Sequence, residues 1–119
     1  MIKAISRTFE RDGVPRQRSH SEGGASTYVF RNTPGYLDSF SVTNLTGVAG
    51  FVQIHDATST AMPTAGAVPL QVFPLPANEA IGVKIPFFGE AGLVAVISST
   101  AATYTVSANT AFFYGMTRN

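Results

Sequence analysis

His55 and Asp56 are the one adjacent pair in this chain whose side chains invite an acid–base reading. A hydrolase would need the histidine to take a proton from a nucleophile and a carboxylate to orient the ring. The surrounding stretch, Ala49-Gly50-Phe51-Val52-Gln53-Ile54-His55-Asp56-Ala57, alternates with the period of a strand. Phe51, Gln53 and His55 fall on one side, and Val52, Ile54 and Asp56 on the other. Neighbours on a strand point to opposite faces, so the pair cannot form a dyad with itself. Ser39, Ser41, Ser98 and Ser99 are candidate nucleophiles, but none lies in a Gly-x-Ser-x-Gly elbow. The expected role of His55 is that of a strand-end residue hydrogen-bonded to backbone.

The other chemistry-bearing types are sparse. Asp38, Asp56, Glu79 and Glu90 fall in strands or turns without a cleft signature, so solvated acids are expected rather than a glycosidase pair. His20 and His55 are too few and too far apart in sequence for a recognisable zinc site. The chain has no cysteine, which excludes disulfides, thiolate metal sites and thiol nucleophiles. Gly23-Gly24 stands alone, without the strand–helix context of a phosphate loop. Asn44-Leu45-Thr46 matches a glycosylation sequon, read as a chance match because no secretion signal is seen. The expectation is a non-enzymatic protein without cofactor or metal.

Charge is the informative quantity. Charged residues are 13% of the chain, about half the usual share for a soluble domain. They are also unevenly placed. Residues 1–31 hold nine of the fifteen, with net charge +3, and the remaining 88 hold six, with net charge −2. A charge-poor body implies either a surface solvated by Ser, Thr, Asn and Gln, or a surface covered by other copies or a partner. The arginines are interleaved with acids and the overall net charge is only +1, which argues against a nucleic-acid partner. No apolar run is long enough to span a bilayer.

The 119 residues suit one domain. Residues 1–25 read as an extended arm, opening with a short strand over Ile2–Phe9 and punctuated by Gly13, Pro15, Gly23 and Gly24. Phe9, Arg7, Arg11, Arg16 and Arg18 are the residues expected to anchor this arm on a neighbour. Residues 26–119 read as a β body. Strands are expected over 26–31, 36–43, 49–57, 81–88, 93–99, 103–106 and 110–117, with Tyr36, Asp38, Phe40 and Val42 sharing one face in strict alternation and Ile81, Val83, Ile85 and Phe87 inward. Pro34-Gly35 suits a type II turn. The prolines of 68–76 confine that segment to an edge or a crossing. The run Leu93-Val94-Ala95-Val96-Ile97 predicts a central strand buried on both faces. Strands at this spacing without helical periodicity argue for a sandwich, a jelly roll or a small barrel; an all-β, antiparallel two-sheet sandwich of jelly-roll type is the favoured expectation, with the strand order left open.

Two passages carry a family resemblance. Phe51-Val52-Gln53-Ile54-His55-Asp56-Ala57 with Gly66-Ala67-Val68-Pro69-Leu70, and Val96-Ile97-Ser98-Ser99-Thr100-Ala101-Ala102-Thr103-Tyr104-Thr105, resemble small β-sandwich virion proteins of tailed bacteriophages. The resemblance covers roughly residues 36–115 and brings no catalytic residues with it. It implies a protein that decorates or cements a capsid, or forms a knob or adaptor, often as a trimer.

The first functional expectation is therefore a capsid decoration protein. It would be assembled in a bacterial cytoplasm, carried on the virion, and in contact with the major capsid protein or other virion proteins. Removing residues 1–25 is expected to weaken attachment and leave the body folded. The alternative is a carbohydrate- or receptor-binding sandwich module, with loop 57–67 and Tyr36, Tyr104 and Tyr114 as its site.

Overall fold

The computed structural model describes the backbone of residues 4–11 and 14–119, and side chains from residue 16 onward. Every regular element among these residues is a strand: β1 (Ala4–Arg11), β2 (Val14–Ser21), β3 (Thr27–Arg31), β4 (Gly35–Asn44), β5 (Gly50–His55), β6 (Gln71–Leu75), β7 (Ala80–Val83), β8 (Phe87–Gly89), β9 (Leu93–Ser98) and β10 (Ala111–Arg118). All pairings are antiparallel.

The larger sheet runs β1-β2-β10-β4-β7, with β8 also on β4, and the smaller runs β3-β9-β5-β6. The pairs are nested: β5 with β6, β4 with β7 and β8, β3 with β9, and β2 with β10. Successive pairs alternate between the sheets, which is the winding of a jelly roll, with β1 added outside β2. The two sheets enclose the main core, built around Phe30, Leu37, Phe40, Val52, Ile54, Ile97 and Phe113. Gly115 lies within this core because a Cβ there would come 2.4 Å from the ring of Phe30.

The smaller sheet is buried on its outer side as well. Val94, Val96, Ala57 and Tyr104 form a second cluster, with Met62 and Ala67 packed against it. All six residues of β9 are buried, as the unbroken apolar run requires. The segment 99–110, expected to hold a strand over 103–106, keeps only a single bridge from Val106 to Ser98. Its backbone is instead drawn down onto the sheet by side-chain hydrogen bonds.

Three local readings need correction. The alternation of β4 is interrupted at Asp38, since Met116 faces Ser39 while Thr117 faces Leu37. This bulge turns Leu37 into the core beside Phe40 and leaves Tyr36 and Asp38 outside. Pro34-Gly35 is not a type II turn. Among the described residues only Asn78 and Gly66 have positive φ, and Gly35 opens β4, with the Arg31 guanidinium and the Arg118 carbonyl where its Cβ would stand. The stretch 81–88 is two strands rather than one, broken at Lys84-Ile85-Pro86, so Ile85 is exposed instead of inward.

The stretch expected to be an arm is extended, but β2 is integral to the sheet. It pairs with β10 from Gln17↔Thr117 to His20↔Tyr114. Ser21 is fully buried, and its hydroxyl accepts a hydrogen bond from the Phe113 amide at 3.0 Å. Ser19 is hydrogen-bonded to the Tyr28 hydroxyl.

Candidate functional site

His55 ends β5 and Asp56 follows it directly, and the two side chains bind different partners. His55 is 4% exposed, and its Nε2 donates to the Gln53 side-chain oxygen at 2.9 Å rather than to backbone. Gln53 is fully buried, and its amide nitrogen donates to the carbonyls of Thr100, Ala101 and Thr103. Burial holds the imidazole below its ordinary pKa. Asp56 is not a merely solvated turn acid. Its carboxylate accepts the backbone N–H groups of Glu90, Ala91 and Gly92. Burial works to raise its pKa, but these three donors outweigh it and the net effect is a lowered value. Both residues line a cleft of about 260 Å³ with Met62, Pro63, Thr64 and Leu70. His55 Nε2 is bound to Gln53, which holds 100–103, and the Asp56 carboxylate holds 90–92, so the corner ties β5 to the segments packed on it.

The predicted contact residues divide. The side chains of Phe9, Arg7 and Arg11 lie outside the described residues. The backbone register sets Phe9 opposite Arg16 and Arg7 opposite Arg18, on the outermost strand pair of the larger sheet. Arg16 donates to Asp38 at 3.0 Å. Arg118 binds the same carboxylate with both oxygens and lies 4.0 Å from the centre of the Tyr36 ring. Arg16 and Arg18 are both engaged within the molecule. Asp38, expected to be solvated, is thus the tie between β2, β4 and β10.

The loops gather at two ends. At one end, the 45–49, 76–79 and 106–110 segments are joined by backbone bonds from Leu45 to Thr110, Asn44 to Glu79 and Asn78 to Thr46. Asn44, the sequon residue, is 2% exposed; its amide nitrogen donates to the carbonyls of Val48 and Pro76. Leu45, Val48 and Val106 stand exposed on this braced base. At the other end, Asp56 holds 90–92, and the Asn32 side chain accepts the Ser59 amide. Val68 and Leu70 are exposed beside the cleft there.

The aromatic set considered for a sugar site is not brought together. Tyr104 is buried beside loop 57–67, outside the smaller sheet. Tyr36 and Tyr114 lie on the outer face of the larger sheet. The tying roles of Gln53 and Asp38 were not expected from the sequence. A lone amide among β-branched neighbours, and an acid in mid-strand, were the available signals. Among the described residues no group of three or more His, Asp or Glu side chains is placed to hold a metal ion. No family model, curated protein or solved structure matches the chain.

Proposed function

We propose that the protein is a non-enzymatic structural component of a bacteriophage particle, a capsid decoration or cement protein that stabilises the shell by bridging capsid subunits. It is assembled in the host cytoplasm, acts as a homotrimer and is carried on the virion surface. The observation that carries this reading is the character of the exposed surface. Leu45, Val48, Val68, Leu70, Ile85, Phe88 and Val106 are all exposed, on a body whose 88 residues after Arg31 contain six charges. Such a surface favours burial against other chains over permanent solvation.

The mechanism is area burial from a rigid platform. Leu45, Val48, Leu70 and Val106 sit on segments tied by backbone or buried side-chain hydrogen bonds, so little order is lost there on docking. Apolar contact contributes about 25 cal/mol per Å² before ordering costs. Jelly rolls serve both capsids and lectins, so the fold class agrees with the reading by analogy without selecting it. His55 Nε2 and the Asp56 carboxylate are taken up structurally, which supports a role without catalysis.

The test is cosedimentation with empty shells formed by the major capsid protein of the same genome. The protein is expected to pellet with the shells and to raise their melting temperature. Protein that stays in the supernatant at saturating concentration overturns the reading.

A further inference from the structure

The outer face of the larger sheet carries a groove that the assembly reading does not use. It has a volume of about 490 Å³ and is lined by Ser39, Ser41, Gly82, Lys84 and Tyr114, together with Phe40 and Val83. That is the size range of small-molecule sites. The register explains its shape. Tyr114 on β10 faces Ser41 on β4, which faces Gly82 on β7, so one row runs from a large ring to a hydroxyl to no side chain. Three adjacent strands span roughly 10 Å. The ring of Tyr114 is steadied from behind by His20, stacked at 6.3 Å between centroids.

The polar groups here are uncommitted. Among the described residues, the hydroxyls of Ser39, Ser41 and Tyr114 and the ammonium of Lys84 have no hydrogen-bond or ion-pair partner. Among the described residues, Lys84 is the only charged residue of the lining, and no acid lines it.

We propose that this groove binds a saccharide ring bearing a negative charge, as carboxylate or sulfate. Tyr114 stacks on the C–H face of the ring. Ser39 and Ser41 hydrogen-bond its hydroxyls, and Lys84 pairs with the acid. The lone uncompensated cation selects an acidic sugar over a neutral one, and the aromatic wall selects a ring over an inorganic anion.

The test is amide chemical-shift titration of the full chain with three probes: digalacturonic acid, a sulfated heparin disaccharide, and neutral maltose. Shifts are expected at Ser39, Ser41, Gly82, Lys84 and Tyr114 with an acidic probe, and binding of maltose about tenfold weaker or less. A response to one acidic probe alone assigns the acid as carboxylate or sulfate. Lys84→Gln is expected to weaken acidic binding about tenfold. Gly82→Leu places a side chain in the groove from a position where a Cβ meets nothing within 4 Å. It is expected to abolish binding at unchanged melting temperature. The proposal is overturned if neither acidic probe shifts these amides at about 10 mM. Equal binding of maltose, or unchanged binding by Gly82→Leu, also overturns it. So does a Gly82→Leu protein whose mass in solution falls, since a second copy would then be the occupant.

Discussion

Arg118 Nε lies 2.8 Å and 2.9 Å from the two carboxylate oxygens of Asp38, at the bulge where β4 changes face. Arg16 reaches the same carboxylate from β2. One acid therefore joins three adjacent strands of the larger sheet, β2, β10 and β4. Asp38→Asn should lower stability by about 1–2 kcal/mol, because two guanidinium groups lose their counter-charge while remaining partly solvated. Arg118→Lys should cost about 1 kcal/mol through the lost planar contact with Tyr36. Urea unfolding monitored by circular dichroism measures both.

The corner at His55 predicts a pH dependence. Burial holds its imidazole below 6.5, so the unfolded chain takes up a proton before the folded chain as pH falls. Stability is complete above 6.5 and is lost as pH drops from 6.5 through the lower folded value. Asp56 acts in a separate window. Burial opposes its three backbone donors, but they prevail, so its contribution is present above 3.8 and is lost as pH falls further. Melting temperatures from pH 8 to pH 3 should show both limbs, and His55→Gln should remove the upper limb alone.

Gln53 should be the costliest polar substitution in the body. Gln53→Leu strands the carbonyls of Thr100, Ala101 and Thr103 and removes the acceptor of His55. The expected loss is about 2–4 kcal/mol. Hydrogen exchange should speed up across 99–110 before the strands respond.

The sequence was legible where one side-chain pattern decides the outcome. β3, β5, β9 and β10 follow apolar runs or alternation, and the all-β class follows from the number and spacing of the strands, while the strand order appears only in the fold. It was less legible where tertiary contacts override local pattern. The bulge at Asp38 reverses half of β4 because a carboxylate outside and Leu37 inside satisfy three strands at once. Residues 103–106 look like a strand, but Gln53 and Ser98 bind the neighbouring backbone and hold it as a covering loop. The candidate corner at His55–Asp56 was visible as a pair. Its partners were not, because they lie 34 to 36 residues away for Asp56.

The close approach at Gly115 gives a packing test. A methyl group there would stand 2.4 Å from the Phe30 ring, which is itself in contact with Tyr28, Phe40 and Phe113. Gly115→Ala should therefore destabilise by about 1–3 kcal/mol, although alanine is ordinarily tolerated in a strand. A shift of the Phe30 ring resonances would locate the strain.

The N-terminal segment divides at β2. Deleting residues 1–25 removes the β2–β10 pairing, the Ser21 bond to Phe113 and the Ser19 bond to Tyr28. That truncation should cost about 3 kcal/mol or more, or prevent folding. A chain starting at Val14 keeps these contacts and should melt within a few degrees of the full protein. The shorter truncation is the one that can separate attachment from folding in the shell assay.

The claim that the exposed apolar surface exists to be covered is tested most directly by the mass of the full chain in solution. Size-exclusion chromatography with light scattering should return a stable trimer of the 12.6 kDa chain, with Leu45→Asp or Val106→Asp shifting it toward monomer. A 12.6 kDa monomer across the accessible concentration range, unmoved by those substitutions and by added shells, would contradict the account.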